Sequence, residues 1–115
     1  MPELPEVETV RRGLTELVAG SQVTSVDVLY PKMVNLPPED FAAALKDRTI
    51  EQIDRRGKYL FLQMSGHQTV VSHLRMEGNY DVQPEGTPLT KHTHIVFHLA
   101  DGRQLRYNDL SLIHI

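Results

Sequence analysis

The segment His94-Ile-Val-Phe-His-Leu-Ala-Asp-Gly-Arg-Gln-Leu-Arg-Tyr107 contains two strand-like runs on either side of Asp101-Gly102. Asp-Gly between two such runs is one of the strongest short-range signals of a β-hairpin. The sequence therefore predicts paired antiparallel strands over 94–99 and 103–107.

Further strands are predicted upstream of this hairpin, where β-branched and apolar residues recur between turn residues. They cover 22–30, 49–55, 58–64 and 67–75, whereas 79–91, which holds three proline and glycine residues, is predicted to be a loop. An amphipathic N-terminal helix is indicated by apolar residues at three- and four-residue spacing, namely Val7, Val10, Leu14, Leu17 and Val18. A short helix is predicted over 38–47. These elements predict a β-rich α+β fold, a two-sheet β-sandwich flanked by the two helices.

Composition narrows the function classes. The chain has 115 residues, the length of one domain, and no cysteine, which excludes a disulfide scaffold, a zinc finger and a thiol nucleophile. No apolar run reaches the roughly 18 residues that span a membrane, so a cytoplasmic location is expected. The net charge of −3 argues against nucleic-acid binding, although local clusters of cations argue for it.

The N-terminus carries the first candidate chemistry. Removal of Met1 would expose the secondary amine of Pro2, which can attack an aldehyde carbon and form an iminium ion. The positive end of the following helix disfavours a protonated amine nearby. Glu3 could donate or accept a proton. The alternative is that proline and glutamate simply favour the start of a helix.

Three further segments are candidates for contact with phosphates or bases. Arg55-Arg56-Gly57-Lys58 places three cations within four residues, with a glycine suited to a tight turn; the alternative is a solvated strand end. In Arg75-Met76-Glu77-Gly78, a displayed Met76 could wedge into a base stack, or it could be a core residue. In Lys91-His92-Thr93-His94, the spacing would put both histidines on one strand face, for phosphate contact or for structural hydrogen bonds, and no metal site is predicted.

Together these segments resemble the formamidopyrimidine-DNA glycosylase (Fpg) family of bacteria. The resemblance begins with Met1-Pro-Glu-Leu-Pro-Glu-Val-Glu-Thr-Val-Arg-Arg-Gly-Leu14 and continues through Arg55-Arg-Gly-Lys-Tyr-Leu60 and Ser72-His-Leu-Arg-Met-Glu-Gly78. His92-Thr-His94 and Leu105-Arg-Tyr-Asn-Asp109 follow in the same order. The related endonuclease VIII, which acts on oxidised pyrimidines, fits less well because Leu4 stands where it typically has glycine.

The resemblance implies a base-excision repair enzyme that removes oxidised purines, including 8-oxoguanine and formamidopyrimidines, and then cuts the strand by β,δ-elimination. It implies that Pro2 is the Schiff-base nucleophile, Glu3 a proton donor and Lys58 the proton donor for β-elimination. Met76 would fill the void left by the extruded base, and His92 would contact DNA, with Arg75 and Arg56 as further DNA contacts. The implied partner is double-stranded DNA with oxidised purines or abasic sites, bound by a monomer.

The pattern changes at the C-terminal end. After Leu110 the family continues with basic residues and a phenylalanine wedge, whereas this chain has Ser111-Leu-Ile-His-Ile115. We expect residues 1–110 to be the catalytic domain and 111–115 a tail foreign to the family, or else a final strand. The helix-two-turn-helix domain and the four-cysteine zinc finger of the family have no counterpart here, so no cofactor is expected and activity should be impaired.

Two other classes remain open from the sequence. One is a catalytically inert DNA- or protein-binding module that kept the sandwich. The other is a β-sandwich with no role in nucleic-acid chemistry. Covalent trapping on abasic-site DNA separates the enzyme from both, because only a reactive amine forms a Schiff base.

Overall fold

A computed structural model describes residues 4–73, 79–108 and 112–114. Within these residues the chain forms helices α1 (Leu4–Val18) and α2 (Pro38–Leu45), together with two short 3-10 turns. It also forms eight strands: β1 (Val23–Val28), β2 (Ile50–Arg56), β3 (Tyr59–Met64), β4 (Gln68–His73), β5 (Asn79–Pro84), β6 (Thr93–Leu99), β7 (Arg103–Asn108) and β8 (Leu112–His114).

The strands form two four-stranded antiparallel sheets. The order in the first sheet is β1-β6-β7-β5, and the order in the second is β2-β3-β4-β8. The hairpin predicted at Asp101-Gly102 is confirmed, since β6 pairs with β7 and Gly102 has φ of 88°. The predicted β-rich α+β sandwich with two flanking helices is confirmed.

Both sheets contribute side chains to one core. Leu60, Leu62 and Val70 of the second sheet belong to the same buried cluster as Phe97 and Tyr107 of the first. Along β3, buried and more exposed positions alternate, because successive side chains of a strand point to opposite faces. Burial of these large apolar side chains is the main force holding the two sheets together.

The helices cover different sheets. Helix α1 packs against β2 and β3, with Val7, Leu14 and Val18 buried. Helix α2 packs against β1 through Phe41 and Leu45. Among the described residues, no helix is both long and apolar enough to cross a membrane.

One segment of the C-terminal half differs from the sequence-based expectations. The predicted loop over 79–91 is wrong at its start, because Asn79–Pro84 forms an edge strand whose Tyr80 and Val82 pack on the core. Pro84 is tolerated because it ends that strand at the sheet edge. At the C-terminal end, β8 pairs with β4, and Ile113 lies opposite Val71.

A histidine joins the edge strand β1 to the chain that follows β5. His98 lies 2.7 Å through Nε2 from Asp27 and 2.7 Å through Nδ1 from Glu85. Burial alone would lower the pKa of His98, but its hydrogen bonds to the two carboxylates raise this pKa above its ordinary value. The charged form of His98 therefore stabilises the folded state.

We expect this cluster to make stability depend on pH near neutrality. A raised pKa in the folded state contributes stability below the unfolded-state value of about 6.5, and that contribution is lost as pH rises through the folded-state value. Urea unfolding between about pH 6 and pH 8 should show this loss, and His98→Asn should remove it. Exposed His67, replaced in the same way, is the control; an equal change in both variants would contradict the assignment.

Candidate catalytic end of the sandwich

Lys58 lies in the tight turn between β2 and β3. Gly57 has φ of 59°, a conformation that glycine adopts without steric cost, which confirms the predicted turn. The turn closes on the pair Arg56 and Tyr59, which lie opposite each other in the register. Lys58 is half-buried beside this pair, at the end of the second sheet.

Helix α1 runs antiparallel to β2, so its first turns lie beside this end of the sheet. Near the end of the helix, the Gly20 amide donates to the carbonyl of Ile50, where β2 begins, at 2.7 Å. Midway, Arg11 Nη1 donates to the carbonyl of Ile53 at 3.4 Å. The start of the helix is thus directed toward the turn that carries Lys58.

One salt bridge fixes this arrangement. Arg55 Nε donates to Glu8 Oε1 at 3.1 Å, and Arg55 Nη1 donates to the carbonyl of Gly57 at 3.1 Å. Arg55 therefore joins the second turn of α1 to the residue that precedes Lys58. We refer to Glu8, Arg55 and Gly57 as the helix–turn strap.

Glu8 is the acceptor for three arginines. Arg11 and Arg12 of the same helix lie 2.6 Å and 3.0 Å from Glu8 Oε2, in addition to the contact from Arg55. The hydrogen bond from Arg11, with those from Arg55 and Arg12, lowers the pKa of Glu8 to about 2 despite the opposing effect of burial. Glu8 therefore stays ionised, and the strap intact, well into the acidic range.

We expect Glu8→Gln to change acid stability. A lowered pKa contributes stability above the unfolded-state value of about 4.5, and this contribution is lost as pH falls toward about 2. The variant should be less stable than the parent at pH 6, and the difference should shrink on acidification, as measured by urea unfolding. Glu16→Gln, at an exposed position of the same helix, is the control. A difference that persists unchanged at low pH would contradict the ionic role of Glu8.

Aromatic and cationic side chains surround the turn. Tyr59 and His73 lie opposite each other on β3 and β4, and their rings are in contact with centroids 4.7 Å apart. Tyr59 is 47% exposed. Arg56, predicted to contact DNA, is exposed, and its guanidinium lies 5.5 Å from the centroid of the Phe61 ring. This end of the sheet thus presents positive charge and a flat aromatic surface.

The first sheet meets the second at the same end of the sandwich. Only five residues, 74–78, connect the end of β4 to the start of β5. Next to this connection, the Tyr80 hydroxyl donates to the Ser72 hydroxyl and so links the two sheets. Asn108, which lies opposite Asn79 at the end of β7, donates to the Asn79 side chain at 2.8 Å.

His92 lies at this end as well, but not where its spacing predicts. The prediction that His92 and His94 share a strand face is wrong, because β6 begins at Thr93 and His92 precedes it in a turn. The turn forms because the Thr93 amide donates to the Thr90 carbonyl, while the His92 amide donates to the Thr90 hydroxyl at 3.2 Å. His92 is exposed, whereas His94 is half-buried against Tyr30.

Four predicted site residues lie outside the described residues. Pro2 and Glu3 immediately precede α1 in the sequence, and Arg75 and Met76 follow His73 at the end of β4. Of the predicted set, the structure describes Lys58 and Arg56 at the turn between β2 and β3, and His92 in the turn that precedes β6. It adds Glu8 and Arg55, which join α1 to the turn that carries Lys58. In the sequence, Glu8 is only an acidic residue near the start of a helix, and Arg55 is only one cation of a cluster. Neither pattern indicates that the two residues are in contact.

The four-cysteine zinc finger that the resemblance implies for the family has no counterpart in this sequence, which contains no cysteine. In the part of the chain that the structure describes, no group of three histidine, aspartate or glutamate side chains could hold a metal ion.

Comparisons with known proteins agree on one family. The model of the formamidopyrimidine-DNA glycosylase N-terminal domain matches residues 1–112. The chain is 56% identical over 109 residues to the formamidopyrimidine-DNA glycosylase of Lactiplantibacillus plantarum, covering 95% of this chain and 40% of that protein. It is 50% identical over 112 residues to that of Bacillus subtilis, covering 96% of this chain and 40% of that protein.

Solved structures give the same result. The Lactococcus lactis Fpg in complex with abasic-site DNA superposes with a TM-score of 0.93 at 39% identity, covering 99% of this chain and 44% of that chain. The same enzyme with DNA containing a formamidopyrimidine lesion gives a TM-score of 0.92 at 39% identity, covering 98% and 44%. The chain spans about two fifths of the length of the relatives it matches. The family model, the sequence identities and the shared fold show that this chain belongs to the formamidopyrimidine-DNA glycosylase family, and that it corresponds to the N-terminal domain.

Proposed function

We propose that residues 1–110 are the catalytic domain of a base-excision DNA glycosylase that is also an abasic-site lyase, with oxidised purines as its substrates. The observation that carries the proposal is the helix–turn strap. It directs the start of α1, which Pro2 and Glu3 precede in sequence, toward the turn that carries Lys58. Schiff-base chemistry on a sugar requires an amine nucleophile and groups that transfer protons, and Pro2, Glu3 and Lys58 are residues of these types.

In the proposed reaction the free amine of Pro2 attacks C1′ of the damaged nucleotide. The bond from C1′ to the base breaks, the base leaves with a proton, and opening of the sugar gives an iminium ion. Glu3 donates the proton to the sugar oxygen. The positive end of α1 favours a neutral amine, because it disfavours a second positive charge nearby.

The iminium ion then acts as an electron sink for strand cleavage. Loss of the C2′ proton expels the 3′ phosphate, and a second elimination expels the 5′ phosphate. We propose that Lys58 donates a proton during the first elimination. Water finally releases the sugar fragment and regenerates the Pro2 amine.

The DNA must present C1′ outside the base stack, because the stack shields it. Extrusion of one nucleotide costs only a few kcal/mol, which binding contacts can offset. We propose that Met76 fills the resulting void and that His92, Arg75 and Arg56 contact the strand. We further propose that the domain acts as a monomer on chromosomal DNA in the cytoplasm.

Trapping with borohydride tests this function. The chain is incubated with a duplex containing an aldehydic abasic site, and borohydride reduces any iminium ion to a stable amine. A covalent protein–DNA product is expected with this duplex. No product is expected with the same duplex carrying a tetrahydrofuran site, which has no aldehyde. Absence of product from the aldehydic duplex, with a folded protein that has lost Met1, would favour the inert binding module instead.

A further inference from the structure

One face of β7 carries a row of buried polar side chains. Gln104, Arg106 and Asn108 alternate along the strand with Leu105 and Tyr107, which point into the core. Alternate residues of a strand share a face, so the three polar side chains lie on the side away from the core. They are only 6%, 3% and 9% exposed. We call these three residues the polar row.

Arg106 holds the segment 85–92, which connects β5 to β6. Its Nη2 donates to the Thr87 carbonyl at 2.5 Å, and its Nη1 donates to the Pro88 carbonyl at 3.1 Å. Its Nε donates to Gln104 Oε1 at 2.9 Å. A guanidinium fixes three acceptors at once because its donors are arranged in a rigid plane.

Gln104 holds the start of the same segment. Its Nε2 donates to Glu85 Oε2 at 2.9 Å, and the other oxygen of Glu85 is bound to His98. The hydrogen bonds from Gln104 and His98 lower the pKa of Glu85, with the charge of Arg106 contributing as well. The first residue of the segment is therefore held by side chains of both β6 and β7.

Asn108 holds the end of the segment, next to His92. The Thr93 hydroxyl donates to Asn108 Oδ1 at 3.0 Å and lies 3.3 Å from the Thr90 hydroxyl. The Thr90 hydroxyl in turn accepts the His92 amide. A continuous chain of polar contacts thus runs from the buried strand to the backbone of His92.

We propose that the polar row is a positioning device that holds the segment 85–92 in the conformation that presents His92 to DNA, with Arg106 at its centre. The proposal rests on the DNA contact proposed for His92. None of the three polar side chains needs to touch DNA for this role. An ordered segment binds more tightly because it loses less conformational freedom on binding.

Removal of the hydroxyl nearest His92 tests the proposal with little risk to folding, because Thr90 is exposed. Binding to a fluorescent duplex with a tetrahydrofuran site is measured by anisotropy, which avoids covalent reaction. Thr90→Val should weaken binding by about threefold to tenfold, the range expected for one hydrogen bond. Thr90→Ser, which keeps the hydroxyl, should bind like the parent.

Two controls separate positioning from a general loss of structure. Thr24→Val removes a hydroxyl that donates to the His98 carbonyl at 3.2 Å on the edge strand β1, and it should leave binding unchanged. His92→Ala should weaken binding by itself. In the His92→Ala background, Thr90→Val should have no further effect, because the effects of two residues that act through one contact are not additive.

Arg106→Lys extends the test to the centre of the polar row. If urea unfolding shows that this variant folds, it should weaken binding when His92 is present and have no further effect in the His92→Ala background.

Three outcomes would overturn the positioning role, and the first of them would also overturn the proposed DNA contact of His92. If His92→Ala binds like the parent, the proposed DNA contact of His92 fails, and the positioning role falls with it. If His92→Ala weakens binding but Thr90→Val does not, the positioning role alone is overturned. The same conclusion follows if Thr90→Val weakens binding equally in the presence and in the absence of the His92 side chain.

Discussion

Replacement of Pro2 by glycine is expected to remove most or all of the borohydride-trapped product with abasic-site DNA. Glycine leaves a primary amine on a more flexible chain, so the rigid pyrrolidine ring no longer orients the nucleophile. The comparison measures trapped product per mole of folded protein under single-turnover conditions.

Retention of Met1 supplies an independent control for this result. The nitrogen of Pro2 is then an amide, which has no lone pair available for attack, although every side chain is unchanged. This form should yield no product through Pro2. Equal product from the parent, the Pro2→Gly variant and the Met1-retaining form would show that another amine reacts, and it would contradict the assignment.

The second large effect is expected at Lys58. Lys58→Met keeps most of the aliphatic length but removes the proton donor, so strand cleavage should slow by about 100-fold or more, the usual scale of general acid catalysis. Schiff-base formation depends on Pro2 rather than on Lys58, so trapping should persist. Cleavage is measured from the rate of product appearance on an abasic-site duplex.

Lys46 provides a matched control for the Lys58 result. It is an exposed lysine at the C-terminal end of α2, a different element from the turn that carries Lys58. Lys46→Met loses the same charge. The control should cleave like the parent. A Lys58→Met variant that cleaves at the parental rate, or that loses trapping and cleavage in equal proportion, would show that Lys58 is not the proton donor for elimination.

Local signals explain why the fold was largely predictable. The Asp101-Gly102 turn fixes its hairpin through backbone conformations that few residues tolerate, and Gly102 has the positive φ that this argument requires. The spacing of Val7, Leu14 and Val18 places all three on the buried face of α1. Each of these inferences depends on residues that are close in sequence.

One error arose where a tertiary contact decides the structure, and the other arose at a local turn held by a side chain. Proline and glycine in 79–91 indicated a loop, but the pairing of β5 with β7 and the packing of Tyr80 and Val82 make the first six residues a strand. Two-residue spacing put His92 on a strand, yet the hydroxyl of Thr90 captures its amide in a turn. The strand that pairs with β5 is distant in sequence, whereas Thr90 is only two residues from His92, and a threonine hydroxyl is a known local turn signal.

Sequence patterns identified candidate site residues but not the contacts that connect their elements. Lys58 and His92 stood out because cations and histidines near glycine or turn residues suggest phosphate contacts. The strap between Glu8 and Arg55 joins residues that are 47 positions apart, and the polar row reaches Thr87 from Arg106 across 19 positions. Such contacts depend on how the helix and the two sheets pack.

The most direct test of the central claim is the mass of the peptide that carries the sugar after borohydride trapping. The trapped protein is digested with nuclease and protease, and the modified peptide is sequenced by mass spectrometry. The account predicts that the sugar remnant is attached to the nitrogen of Pro2 in the N-terminal peptide. Attachment to Lys58, or to any other lysine, with the N-terminal peptide unmodified would contradict it.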